Sequence, residues 1–69
     1  MKISARNKLT GKIIEVTKGA TTAHVRLELS CGQVITASIT NEAVDELELK
    51  VGVSATAIIK ASDVMIALD

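Results

Sequence analysis

The spacing of apolar residues constrains the fold of this chain more than any other feature of its sequence. The clearest run covers residues 23–29, where the apolar members are Ala23, Val25, Leu27 and Leu29. Polar side chains occupy every position between them, which gives the period of two that a half-buried strand requires. The same alternation recurs through most of the chain, so the sequence predicts an all-β protein.

A tight turn interrupts the alternation between residues 30 and 33. Gly32 lies in this turn and can adopt the positive φ that a short hairpin connection needs. The flanking runs, Ala23–Leu29 and Val34–Thr40, are therefore predicted to pair as a β-hairpin.

The first strand-like segment changes its apolar face partway along. Leu9, Gly11 and Ile13 share one face, whereas Ile14 and Val16 share the opposite one. A change of face beside a glycine is typical of a β-bulge or a sharp bend, as small barrels use at their corners.

The remaining segments complete the set of predicted elements. Lys18 to Thr22 is a loop, and Thr40 is placed to cap a helical turn over Asn41 to Leu47. Two further strands are predicted, from Val53 to Lys60 and from Val64 to Leu68.

Five short strands, with one short helical turn between strands 3 and 4, match a small five-stranded OB-like Greek-key barrel. An open five-stranded sheet that closes only against a partner remains the alternative. The 69 residues allow one domain, residues 1–69, without a linker.

The means of stabilising so short a chain are limited. A core of this size is marginal, and the usual supports are disulfides, a structural metal or oligomerisation. One cysteine cannot form an internal disulfide, and one cysteine with one histidine cannot complete a four-ligand zinc site. Several strands also carry apolar residues on both faces, as at Ile13 and Ile14. We therefore expect a homo-oligomer.

Composition excludes several classes of function. The formal net charge is zero and aromatic residues are absent, so the chain lacks both the positive field and the stacking platforms of a nucleic-acid-binding protein. The N-terminus shows no long apolar run of a signal peptide or membrane span. A cytoplasmic location and no association with membranes are expected.

No catalytic arrangement is visible, and the sequence predicts that the protein is not an enzyme. His24 lies in mid-strand among solvated positions, and Cys31 lies in a turn without a cationic neighbour. Asp45, Glu46 and Glu48 have the pattern of a solvated acidic face. No cofactor fingerprint and no directly coordinating metal ligands are found.

Small polar and cationic residues collect at the predicted strand ends, in residues 4–7, 40–43 and 60–62. Hydroxyls, backbone amides and one or two cations are the groups that hold a tetrahedral oxyanion. The same hydroxyls could instead cap local turns while the cations stay solvated. Pattern alone leaves both interpretations open.

Longer motifs carry a resemblance to a known family. The segments that carry it are Ser4–Ile13, Lys18–Leu27, Gly32–Thr40, Ala43–Gly52 and Lys60–Val64, with Ser-Ala-Arg-Asn near the start and Lys-Ala-Ser near the end. Together they closely resemble the molbindins, or Mop proteins, which are the free-standing members of the molybdate-binding Mop/TOBE family. The resemblance implies an OB-like barrel, assembly as a hexamer built as a trimer of dimers, and intracellular storage of molybdate or tungstate between subunits.

The resemblance also nominates site residues. The implied molybdate-binding positions are Ser4, Ala5, Arg6, Thr40, Ala43, Lys60, Ala61 and Ser62. A second anion site is implied at Lys18, Gly19 and Ala20. Two other functions remain as alternatives: an OB-type nucleic-acid-binding domain and a purely structural oligomerisation module.

Overall fold

The chain forms four strands, one short helix and one 3-10 turn. The structure is a computed structural model that describes every residue from Met1 to Asp69. In chain order the elements are β1 (Asn7–Lys18), β2 (Thr22–Leu29), β3 (Val34–Thr40), α1 (Asn41–Glu46), β4 (Ser54–Ile59) and a 3-10 turn (Ala61–Asp63). None of its helices has the length and apolar character needed to span a membrane.

The strands form one antiparallel sheet in the order β3-β2-β1-β4. The fourth strand returns to pair with the first, which is the Greek-key arrangement. The helix lies between the third and fourth strands, as predicted, and the all-β, OB-like fold class is confirmed. Strands β3 and β4 each keep one edge unpaired, so the sheet is an open, curled half-barrel.

The predicted fifth strand, Val64 to Leu68, is wrong for the single chain. Residues 64–69 have no regular structure, and all of them are exposed. Alternation of apolar residues marks a segment that can become a strand, but a strand also needs a neighbour for its backbone hydrogen bonds. Residues 64–69, which follow the 3-10 turn, pair with none of the four strands of the chain.

The predicted bulge in β1 is confirmed. Ile13 pairs with Leu27 and Glu15 pairs with Arg26, so Ile14 has no residue opposite it. Ile13 is 1% exposed, whereas Ile14 is 36% exposed. The extra residue therefore keeps Val16, which pairs with Val25, on the same core-facing side as Ile13. The predicted placement of Val16 on the face opposite Ile13 is wrong, and of these apolar residues only Ile14 lies on the other side.

The predicted hairpin of β2 and β3 is also confirmed. Its register pairs Ala23 with Ile39 and Leu27 with Ile35. Gly32 in the connection has φ +92°, a conformation that side-chain-bearing residues rarely adopt.

The predicted helix cap is present at the end of β3. The backbone N–H of Ala43 donates to Thr40 Oγ1 at 3.0 Å, which satisfies one of the free amides at the start of α1. The cap fixes the direction in which α1 leaves the sheet, and Val44 of this helix is buried against the strands.

The core of the half-barrel is small. Five of the 69 residues are buried: Ile13, Ala23, Val25, Leu27 and Val44. The concave side of the sheet opens into an apolar cleft of about 500 Å³. The lining of this open cleft includes Ile13, Val25, Leu27, Ile35, Ala37, Ile39, Leu47, Leu49, Ala55, Ala57 and Ile59.

The exposed surface is large for the mass of the chain. The accessible surface is 5490 Å² for 7.2 kDa. A compact monomer of that mass exposes about 4100 Å². The isolated chain therefore leaves uncovered a surface that a self-sufficient domain would bury.

Gly11 lies where β1 passes close to the backbone of β2, and its replacement tests this contact. A methyl group at Gly11 would lie 2.3 Å from the carbonyl oxygen of Glu28. We expect Gly11→Ala to lower the free energy of unfolding by about 3 kcal/mol, in the range of backbone effects at incompatible positions. Urea unfolding at a fixed protein concentration measures the change.

Gly32→Ala is the matched control. Gly32 has a positive φ, but a methyl group there would meet nothing within 4 Å. Only the cost of the left-handed backbone is expected, about 1 kcal/mol. Equal losses for the two variants would contradict the close approach of β1 and β2.

Candidate oxyanion-binding site

One end of the β1–β4 pair gathers six of the eight predicted site residues. Asn7 pairs with Ile59 in the ladder, and Asn7 Nδ2 donates to the Ile59 carbonyl at 3.2 Å. The segment before β1 and the segment after β4 therefore leave the sheet side by side. They line a shared pocket with Ser4, Ala5, Arg6, Lys60, Ala61 and Ser62, and with Ile3, Ile58 and Asp63 beside them. We call this the terminal pocket.

The terminal pocket contains hydrogen-bond donors that the chain itself does not use. The amides of Ser4, Ala5, Arg6, Ala61 and Ser62 have no acceptor within the chain. For Ala61 and Ser62 the reason is local, because the first amides of a 3-10 turn precede its first hydrogen bond, which runs from the Asp63 amide to the Lys60 carbonyl at 2.9 Å. The hydroxyls of Ser4 and Ser62 make no hydrogen bond within the chain either.

The two cations of the terminal pocket are also unpaired. The ion pairs of the chain join Lys18 to Asp45 and Arg26 to Glu15. Arg6 and Lys60 take part in neither pair, and the pocket contains one acidic residue, Asp63. Two basic residues and one acidic residue give the pocket a formal charge of +1, so it provides a local positive focus on a chain with no net charge.

The terminal pocket is wide open in the single chain. Its volume is about 610 Å³, whereas one water takes up about 30 Å³ in the liquid. Of the six predicted residues that line it, five are exposed and Ala5 is half-buried. A small anion in this pocket would be contacted on one side and solvated on the other.

The other two predicted residues, Thr40 and Ala43, lie at the opposite end of the sheet. Thr40 pairs with Thr22, at the end of the sheet where Lys18 pairs with Ala23. Asn7 and Lys18 stand at the two ends of the 12-residue strand β1. Within one chain, the residues nominated for one site are therefore separated into two groups.

The residues nominated for the second site lie with Thr40 and Ala43. The side-chain amide of Asn41 donates to the Gly19 carbonyl at 2.9 Å, which ties the Lys18–Ala20 loop to the start of α1. The Gly19 amide donates to the Thr22 carbonyl at 2.7 Å, and Lys18 pairs with Asp45, so both are already engaged. The Ala20 amide has no acceptor within the chain.

The helix cap changes the role of two nominated residues. The Ala43 amide donates to Thr40 Oγ1 and is not free for a ligand while the cap is intact. Thr40 accepts this bond through its oxygen, so its own hydroxyl hydrogen remains available to donate.

Sequence reasoning missed two features of the terminal pocket. Asp63 lines it because the 3-10 turn brings this residue back beside Lys60, and the spacing of three residues was the available signal. Ile3 and Ile58 form an apolar part of the wall, and nothing in their sequence context distinguishes them from interface residues. No cluster of three or more His, Cys, Asp or Glu residues lies together to hold a metal ion.

The chain is thus a small OB-like β-domain with uncommitted amides, hydroxyls and cations gathered at one end of its sheet. The chain belongs to the TOBE domain family, whose model matches residues 3–66.

Three similar proteins have names that state what they bind. Molybdenum-pterin-binding protein 1 of Clostridium pasteurianum is 50% identical over 66 residues, which are 96% of this chain and 97% of that protein. A molybdate-binding protein from Sporomusa ovata superposes with a TM-score of 0.93 at 35% identity, covering 99% of this chain and all of that one. The cytoplasmic molybdate-binding protein ModG, solved with molybdate bound, superposes with a TM-score of 0.92 at 51% identity, covering 94% of this chain and 46% of the ModG chain.

Proposed function

We propose that this protein binds molybdate, and tungstate as its near twin, in the terminal pocket. The observation that carries the proposal is the set of uncommitted amides and hydroxyls around two unpaired cations, Arg6 and Lys60. Relatives and structural neighbours named for molybdenum-pterin or molybdate binding support the choice of anion.

The chemistry of the donors suits an intact oxyanion. Molybdate is a tetrahedral dianion whose oxygens accept hydrogen bonds. Ser4 and Ser62 would donate hydroxyls, the amides of Ala5 and Ala61 would donate without adding bulk, and Lys60 would supply charge. Arg6 would add charge or backbone support. The anion keeps its oxo shell in this arrangement, so no side chain needs to coordinate the metal, and discrimination against sulfate would depend on cavity size.

The proposed site is completed between protomers. Thr40 and Ala43 lie too far from the terminal pocket to contribute within one chain, because the two groups lie at opposite ends of the sheet. The start of α1 from a second copy would bring the Thr40 hydroxyl to the anion and close the exposed side of the pocket. The Ala43 amide would join only if the ligand replaced its cap hydrogen bond.

A homo-oligomer is supported by the surface left uncovered. The accessible surface of 5490 Å² exceeds that of a compact monomer of this mass by about 1400 Å². One protomer of a typical stable interface buries about 800 Å², so the excess corresponds to more than one such contact for each chain. This agrees with the proposed hexamer, a trimer of dimers, in which every protomer has several neighbours.

The C-terminal segment supplies a specific reason for assembly. Residues 64–68 keep the apolar pattern of a strand, yet Met65, Ile66 and Leu68 are almost fully exposed. The open cleft offers apolar lining between two unpaired strand edges. The C-terminal segment of a second copy could pair its backbone with an unpaired strand edge and pack its apolar side chains into the cleft.

A second anion site at Lys18, Gly19 and Ala20 also belongs to this proposal. It has fewer free donors than the terminal pocket, because Lys18 is paired and the Gly19 amide is bonded. Neighbouring protomers would have to supply the remaining hydrogen-bond donors to the anion.

The proposed role is cytoplasmic storage and buffering of the oxyanion by a binding protein without catalytic activity. Placing the anion between chains couples the two equilibria, because a ligand that binds the assembly but not the separated chains stabilises the assembly. Storage and assembly would then respond together to the anion concentration.

Removal of the Lys60 ammonium tests the terminal pocket. We expect Lys60→Ala to weaken molybdate binding by about 2 kcal/mol, roughly thirtyfold in Kd, the scale for a lost charge-assisted hydrogen bond. Titration calorimetry measures the change. Lys50→Ala is the control, since Lys50 is an exposed cation outside the pocket with no ion pair. An unchanged Kd for Lys60→Ala would exclude this pocket as the binding site.

A charge in the C-terminal segment tests the proposed assembly. Ile66 is 90% exposed in the single chain, so Ile66→Asp would change the stability of a monomer by less than about 0.5 kcal/mol. If a second copy covers Ile66, the buried carboxylate should dissociate the oligomer, because an unpaired charge is costly in an apolar cleft. Light scattering measures the mass.

Gln33→Asp, in the exposed β2–β3 turn, is the matched control and should leave the mass unchanged. A monomeric wild-type protein, or an Ile66→Asp variant with the wild-type mass, would contradict the covering of the C-terminal segment.

A further inference from the structure

The side chain of Asn7 joins β1 to β4 where the two strands leave the sheet. Asn7 and Ile59 form the last pair of the ladder at this end, and Asn7 Nδ2 donates to the Ile59 carbonyl at 3.2 Å. The side-chain nitrogen is the group that faces the carbonyl, because a carbonyl oxygen only accepts hydrogen bonds. Asn7 is half-buried and does not line the terminal pocket, so any effect on a ligand there must pass through other residues.

This hydrogen bond links the immediate neighbours of the two cations of the pocket. Arg6 directly precedes Asn7, and Lys60 directly follows Ile59. The bond therefore ties together the two segments that line the pocket at the point where each one leaves the ladder.

The backbone of Lys60 is anchored on both sides. The peptide before it carries the Ile59 carbonyl that accepts from Asn7, and a peptide unit is planar, so the direction of this carbonyl also fixes the plane that leads into Lys60. The peptide after it carries the Lys60 carbonyl, which accepts from the Asp63 amide at 2.9 Å. Lys60 itself has an extended backbone, with φ −63° and ψ 136°. Two hydrogen bonds thus fix the direction in which the Lys60 side chain starts.

Nothing in the chain holds the far end of the Lys60 side chain. It is exposed, and its ammonium makes no ion pair and no hydrogen bond. A lysine side chain is a flexible four-carbon stem, so the volume that its ammonium can reach depends on where its backbone lies. Anchoring the backbone therefore controls whether that volume includes the terminal pocket.

We propose that Asn7 is a positioning residue for the oxyanion site, which acts by fixing the backbone of Lys60. This inference rests on the proposed function and adds a residue that sets its affinity without contacting the anion. Without the Asn7 hydrogen bond, the peptide that joins Ile59 to Lys60 gains freedom to rotate. Binding must then order this peptide as well as the lysine side chain, and the ordering costs affinity.

Asn7→Leu removes the donor and keeps a side chain of similar size. We expect the Kd for molybdate, measured by titration calorimetry, to rise about fivefold, the scale of one lost hydrogen bond. Asn7→Ala loses the same donor but leaves different packing, so it should raise the Kd by the same factor. A rise in only one of the two variants would assign the effect to packing and overturn the proposal.

Thr10→Val is the matched control. It removes the contact of 3.0 Å between Thr10 Oγ1 and Thr56 Oγ1, the other side-chain hydrogen bond between β1 and β4, which lies outside the terminal pocket. We expect an unchanged Kd for this variant. If Asn7 only held the two strands together, Asn7→Leu and Thr10→Val would have the same Kd, and that result would overturn the positioning role.

A double variant tests whether the effect passes through Lys60. In a Lys60→Ala background, the rise caused by Asn7→Leu should fall below about twofold, because no ammonium remains to be positioned. An equal rise in both backgrounds would show that Asn7 acts by another route and would overturn the proposal.

These measurements separate the inference from the proposed function. If Lys60→Ala weakens binding but Asn7→Leu and Asn7→Ala do not, the positioning role fails and the site stands. If Lys60→Ala leaves the Kd unchanged, the terminal pocket is not the site, and the proposal for Asn7 falls with it.

Discussion

The antiparallel pairing of β1 with β4 is the interaction on which the rest of the structure depends. It returns the fourth strand to the first and completes the Greek key, and it brings the segments before Asn7 and after Ile59 together at one end of the sheet. The terminal pocket exists because of this pairing. Gly11 and the bulge at Ile14 then let the same long strand curl around the core, so β1 organises both the barrel and the pocket.

The second constraint is the shortage of buried surface. Five buried residues form the core of a chain that keeps an apolar cleft and an apolar C-terminal segment in contact with water. A fold of this kind would gain stability by association, and the proposed anion site would also be completed by a second chain, because its donors line one side of an open pocket. One set of interfaces between protomers would thus cover the exposed apolar surface and also close the open side of the anion pocket.

Much of the fold could be predicted from local pattern. Alternation located the β2–β3 hairpin, and the change of face at Ile13 and Ile14 located the bulge. Thr40 was identified as a cap because its hydroxyl precedes a predicted helical turn with acidic residues. The strand predicted over Val64 to Leu68 was wrong because alternation does not specify the neighbour that a strand needs. The sequence also could not predict that Thr40 and Lys60 lie at opposite ends of the sheet, because their positions follow from the register of three strand pairs. Asp63 was missed because its side chain joins the pocket only through the geometry of the 3-10 turn.

We propose that protomers share the anion, and a crystal structure of the protein grown with tungstate is the sharpest test of this sharing. The heavy atom locates the anion without assumptions about its ligands. We expect electron density for the anion between chains, with Ser4, Lys60 and Ser62 of one protomer and Thr40 of another within hydrogen-bonding distance of its oxygens. An anion held entirely within one protomer, or bound away from the terminal pocket, would contradict it.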